Sequence, residues 1–177
     1  MPTDRFFNKA QLHQVQEAVS VSEDLVSDYY KMSSIQWLRS RYEVRTAREL
    51  DSHEVVEGPF AQVLGYRGCP KDSSLGSANF DFYRICIQDG SILRAIALPF
   101  IDLKIFPFLL YVIVHELVHI VRFARFQQIY SCACEADCAR DEEWIVHDLT
   151  RDILKSITVS GLEQVFVYYR KWYGGKG

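Results

Sequence analysis

Near the start of the chain, apolar residues recur at helical spacing: Leu12, Val15, Val19, Leu25, Tyr29 and Tyr30. That period predicts an N-terminal helix. After the Ser33-Ser34 break, Ile35, Leu38 and Tyr42 continue the pattern with Trp37 beside them, so residues 1–57 read as a helical part. Gly58-Pro59 then punctuates the chain. Residues 60–66 form a short apolar run that reads as a strand. Residues 67–79 are rich in Gly, Pro, Ser, Lys and Asp and read as a loop. Residues 80–88 and 92–98, aliphatic and aromatic, flank Asp89-Gly90, a dipeptide that takes positive φ readily and predicts a tight β-hairpin. Pro99 ends the second predicted strand.

Pro107 suits the first turn of a long helix running to about residue 129. From Phe108 to Val121 it is apolar almost all round, which places it centrally, packed on several sides. The pattern breaks over residues 130–140. A helix over residues 141–157 follows, with Ile145, Leu149 and Ile153 spaced by four. Ser160 and Glu163 fit a capping box for a last helix that ends before Gly174-Gly175. The expected architecture is one α+β domain. Its residues 58–177 carry a small antiparallel sheet with a hairpin, the central helix and the C-terminal helices.

Composition narrows the function classes. The chain has 177 residues, 49% hydrophobic and 24% charged, with 14% aromatic, which supports a sizeable core and excludes intrinsic disorder. A net charge of −3 gives no electrostatic reason to expect nucleic acid. Arg39, Arg41, Arg45 and Arg48 form a basic run, but Glu43, Glu49 and Asp51 dilute it into a solvated face. The longest apolar region, residues 106–121, contains Glu116 and two histidines and is too short to span a bilayer, so no membrane segment is expected. Without an export signal, five cysteines read as thiols, and the cytoplasm is the expected location.

Candidate chemistry lies in the central helix, at His115-Glu116-Leu117-Val118-His119. Helical positions four apart share a face, so both imidazoles can address one ion. Zinc accepts imidazole nitrogen, and a catalytic zinc keeps three protein ligands and an open position. Glu116 projects about 100° round the helix from His115, within reach of a water at the metal without taking a coordination position. A chance H-E-x-x-H match is expected in roughly one chain in a hundred or fewer of this size. The surroundings sharpen it, because Val112, Ile113, Val114, Leu117, Val118, Ile120 and Val121 leave the three motif residues as the only polar ones in the stretch. Buried and unpaired, those three would cost several kcal/mol.

Residues 112–121 resemble the active-site helix of the zincin metallopeptidases, which implies a Zn²⁺-dependent peptidase with Glu116 as general base. In the metzincin branch the motif continues with a glycine and a third histidine, whereas this chain has Arg122 and Arg125 there. The resemblance is therefore to the gluzincin type, in which a glutamate on a following helix completes the site. Glu143, 24 residues after His119, is the chosen third ligand, with Glu142 and His147 as rivals. Gluzincins have an acid four positions after the ligand glutamate. His147 stands there in this chain, as an alternative ligand or as a donor to the developing oxyanion, a role also open to Tyr111. The expected substrate is a peptide or protein, paired in extended form with residues 92–98.

Cys132, Cys134 and Cys138, with Cys69 elsewhere, could hold a second metal, although incidental loop thiols are the commoner meaning of such spacing. Two other function classes stand beside the hydrolase. One is a non-catalytic zinc-binding regulatory or interaction module on a zincin frame, for which Glu116 would be superfluous. The other is an interaction protein docking through Phe166, Tyr168, Tyr169, Trp172 and Tyr173.

Overall fold

The computed structural model describes residues 5–68, 80–125 and 136–173. Helix α1 (Lys9–Tyr30) starts with a reciprocal cap. Asn8 accepts the Gln11 backbone N–H at 2.9 Å, and the Gln11 side chain accepts the Asn8 N–H at 2.8 Å. Its buried stripe is Val15, Ala18, Ser22 and Val26, at spacings of three and four, and the helix packs on the central helix described below. Lys31 ends it in the left-handed region at φ 53.

Helix α2 (Ser34–Arg39) is short, and the helical expectation fails immediately after it. Ser40–Arg45 is a strand, β1. Tyr42 and Val44 alternate with Arg41, Glu43 and Arg45, a period of two that suits a strand as well as their spacing suited a helix. Pairing with another strand decided between them. Beyond a single 3₁₀ turn at Ala47–Glu49, the rest of the described chain up to Phe60 is irregular. The N-terminal part is therefore not purely helical, and it contributes a strand to the sheet.

The other strands are β2 (Ala61–Gly68) and β3 (Phe80–Ile87), close to expectation. They pair antiparallel, from Ala61 opposite Ile87 to Gly68 opposite Phe80. β1 runs parallel to β3 on its other side, from Ser40 opposite Asp81 to Arg45 opposite Cys86, giving the order β1-β3-β2. The sheet is therefore mixed, not antiparallel. Tyr83, Ile85 and Ile87 of β3 are buried on one face, and Cys86 on the other is buried as well, in keeping with its place as the middle strand.

The expected hairpin at Asp89-Gly90 is also overturned. Asp89–Ile96 is helix α3, so residues 92–98 are not a strand and cannot pair with a substrate. The Asp89 carboxylate is buried and accepts backbone N–H groups from Phe7 at 2.8 Å and Ala47 at 2.9 Å. It ties two distant segments together and opens a helix at its favoured acidic first turn. Ile92, Ala95 and Ile96 then fall on one face at helical spacing, with Ile92 and Ala95 buried and Ile96 packed against the core.

Helix α4 (Ile105–Arg125) is central as expected, and all residues from Pro107 to Val121 are buried. By length and composition it could cross a membrane, but most of it is enclosed by the rest of the protein. α1, the sheet and two further helices pack against it, α5 (Ala136–Leu154) and α6 (Leu162–Tyr173). Before α6, Ser160 accepts a hydrogen bond from the Lys104 ammonium at 3.1 Å. Gly161 has φ +96, and a Cβ there would meet Lys104 and Pro107 at 3.1 Å, so the α5–α6 turn closes tightly on the start of α4. Tyr168 and Tyr169 of α6 are buried against Phe60 and Phe108, so these two members of the aromatic C-terminus are core residues.

Glu54 holds the irregular segment to the sheet. Its carboxylate accepts the Asp51 N–H and the Tyr66 hydroxyl, each at 2.9 Å, and pairs with Arg84. The Asp51 N–H and the Arg84 guanidinium hold its carboxyl down at about 2. A depressed carboxyl contributes stability that is complete above its ordinary value of 4.5 and is lost as pH falls toward 2. Urea unfolding from pH 6 down to pH 2 is expected to show a steeper loss for the wild type than for Glu54→Gln. Parallel profiles would mean that folding does not lower the Glu54 carboxyl.

Candidate metal centre

Helix α4 presents His115 and His119 one turn apart, and their Nε2 atoms approach to 3.1 Å. Glu143 enters from α5, with one carboxylate oxygen 3.2 Å from His115 Nε2 and the other 3.1 Å from His119 Nε2. The three groups named from the sequence therefore converge on one point from two helices. His147, one turn after Glu143, brings its Nε2 to 3.8 Å from Glu143 Oε2. Donor atoms of His115, Glu143 and His147 all lie within 4.8 Å of one another.

Two observations bear on whether this cluster suits a cation. Ligands at 2.0–2.2 Å in a tetrahedron would lie about 3.3–3.6 Å apart, close to the spacings of the first three groups. Proton counting points the same way. With both imidazole protons on Nε2 the rings donate to Glu143 but face each other N–H to N–H, and with fewer protons there a contact is left between lone pairs, so one of the three close contacts is always unfavourable. A central cation satisfies all three. Each ring would then carry its proton on Nδ1, and Nδ1 of both His115 and His119 is buried with no hydrogen-bond partner among the described residues.

The remaining candidates take distinct places. Glu142, a rival third ligand, is turned away and chelated by Arg122, at 2.5 Å to Arg122 Nε and 2.8 Å to Nη2. Arg122 holds the position where a metzincin-type motif has glycine, and its side chain serves this ion pair. His147 is held from behind, with Nδ1 hydrogen-bonded to the buried Tyr111 hydroxyl at 2.7 Å. Tyr111, read from the sequence as a possible oxyanion donor, thus has its hydroxyl engaged with His147. It also stacks on Tyr169, with centroids 4.0 Å apart. Glu116 is buried and has no ion-pair partner among the described residues.

Electrostatics set these groups apart. Burial pushes the Glu116 carboxyl up, only partly opposed by His115 and His119. Burial also raises Glu143, but hydrogen bonds from His115 and His119 outweigh it and leave that carboxyl well below the carboxylate range. Burial lowers His147 to about 3, helped by the neighbouring His115, so its imidazole is neutral near pH 7. Two carboxyls on adjacent helices are thus pushed in opposite directions, a pattern characteristic of acid–base sites.

A cavity of about 220 Å³ opens beside the cluster, lined by Gly58, Pro59, Phe60, Val112 and Tyr169 together with His115, Glu143 and His147. Sequence reading placed Val112 on the motif helix but gave Gly58, Pro59, Phe60 and Tyr169 no part in the site. Gly58-Pro59 stood out only as punctuation, and Tyr169 only as one of a run of aromatics. Cys69, Cys132 and Cys134 lie outside the described residues, as does the side chain of Cys138. Cys86 is buried in β3. No family model, no curated protein and no solved structure matches the chain.

Proposed function

We propose that this chain is a zinc-dependent hydrolase of the zincin type that cleaves peptide bonds. The observation that carries the proposal is the convergence of His115, His119 and Glu143 within 3.1–3.2 Å of one another, next to a buried glutamate on the same helix. His115 and His119 would hold the ion from α4, and Glu143 would hold it from α5. A bound Zn²⁺ supplies Lewis acidity that brings water into the titration range of neutral pH. Glu116 accepts the proton of the attacking water and passes it to the leaving amine, a task suited to a carboxyl pushed up by burial. His147 is neutral, anchored by Tyr111 and set in the cavity wall, where it can donate a hydrogen bond to the oxyanion. The mostly apolar cavity favours substrates with an aliphatic or aromatic side chain beside the scissile bond.

The second reading is a non-catalytic zinc-binding module for regulation or interaction, and His147 favours it. Were His147 a fourth ligand beside His115, His119 and Glu143, the shell would be closed, which is the mark of structural zinc. Elemental analysis of protein purified without added metal, paired with a quenched-fluorescence peptide library, separates the outcomes. One equivalent of zinc with chelator-sensitive cleavage is expected. Zinc without cleavage selects the module, and no stoichiometric metal eliminates both.

A further inference from the structure

Of the three groups assigned to the ion, Glu143 alone comes from α5, so the ligand set is complete only if α5 keeps its axial and rotational setting against α4. Glu143 cannot enforce that itself. Its side chain is 46% exposed, and its ion-pair contacts among the described residues are all with the imidazoles of His115, His119 and His147. The adjacent residue is placed differently. The Glu142 side chain is 8% exposed and is gripped by the fork of Arg122, itself 15% exposed and three residues after His119 on α4. A two-point contact between a planar guanidinium and a carboxylate fixes direction as well as distance. The donor and acceptor are the neighbours, along each helix, of the groups that must meet.

We infer that Arg122 and Glu142 form a positioning clamp that sets the metal affinity of the site by holding Glu143 against His115 and His119. The inference rests on the metal-centre reading and adds to it two residues that touch neither ion nor substrate. Loss of the clamp leaves all ligands present but lets the first turns of α5 rotate. Outer supports of this kind typically govern affinity by about 10–100-fold.

The test is a Zn²⁺ titration of metal-stripped protein against a chromophoric chelator, for wild type, Glu142→Gln and Arg122→Lys. Glu54→Gln, which breaks a buried clamp in the sheet, reports what general loss of stability does. Zn²⁺ affinity is expected to fall about 10–100-fold in Glu142→Gln. The fall should be smaller in Arg122→Lys, which keeps the charge and loses the fork, and Glu54→Gln should hold its affinity at a comparable drop in melting temperature. Should Glu142→Gln not fold, Arg122→Lys carries the comparison alone. Affinities within twofold of wild type in the clamp variants, or an equal fall in Glu54→Gln, would overturn the inference and leave the metal centre standing. A wild type that takes up no Zn²⁺ would remove the centre and the clamp's role with it.

Discussion

Glu116→Gln is expected to retain the metal and lose about 10²–10⁴-fold in kcat on any peptide the wild type cleaves, the range that a positioned general base contributes. The substitution keeps shape and volume and removes only the ability to take a proton. Three circumstances make the effect large. Glu116 is buried, so a solvent base cannot replace it easily. It lacks an ion-pair partner among the described residues, so its role is not to neutralise a neighbour. It occupies the one polar position of the apolar stretch that is neither histidine. Metal content and melting temperature close to wild type, with kcat reduced, are the expected readings. Unchanged kcat would remove Glu116 from the chemistry.

The second large effect separates the histidines. His119→Ala is expected to weaken metal binding by more than the roughly 10–100-fold typical of outer supports, because it deletes a direct donor. His147→Ala should leave stoichiometric metal in place and lower kcat, because His147 Nε2 lies 3.8 Å from Glu143, whereas the nitrogens of His115 and His119 lie at 3.2 and 3.1 Å. Inductively coupled plasma analysis after dialysis against a weak chelator reads the difference. If His147→Ala loses the ion as His119→Ala does, then His115, Glu143 and His147 are ligands together, and the closed, non-catalytic reading gains the ground that the hydrolase loses. Tyr111→Phe refines this, since it removes the hydrogen bond to His147 Nδ1 and keeps the stack on Tyr169.

Both experiments turn on residues that stood out in the sequence, and the reason is local. A helix converts a spacing of four into a shared face whatever surrounds it, so His115 and His119 are bound to converge once residues 105–125 are helical. The apolar composition of that stretch made the helix and its central position legible. Glu143 was legible more weakly, because the argument needed a chain reversal of plausible length and a second helix.

Long-range pairing and burial decided the rest. The run from Ser40 to Arg45 carries an alternation that a strand can use and a spacing that a helix can use. Only β3, whose residues pair with partners 41 positions earlier (81 − 40), settled it by offering a ladder of backbone hydrogen bonds. Asp89-Gly90 has the local preferences of a hairpin turn, but the buried Asp89 carboxylate answers to the N–H groups of Phe7 and Ala47, partners that no window around the dipeptide contains. The same holds at the site. That Glu142 turns to Arg122 while Glu143 turns to the histidines depends on how α5 is rotated against α4. That Gly58, Pro59, Phe60 and Tyr169 enclose a cavity there depends on where a loop and a last helix come to rest. Sequence alone determined which helix carries the candidate metal-binding residues, because helical periodicity is a short-range property of the backbone. Tertiary structure decided what completes and encloses it, because those contacts join segments whose meeting no local preference encodes.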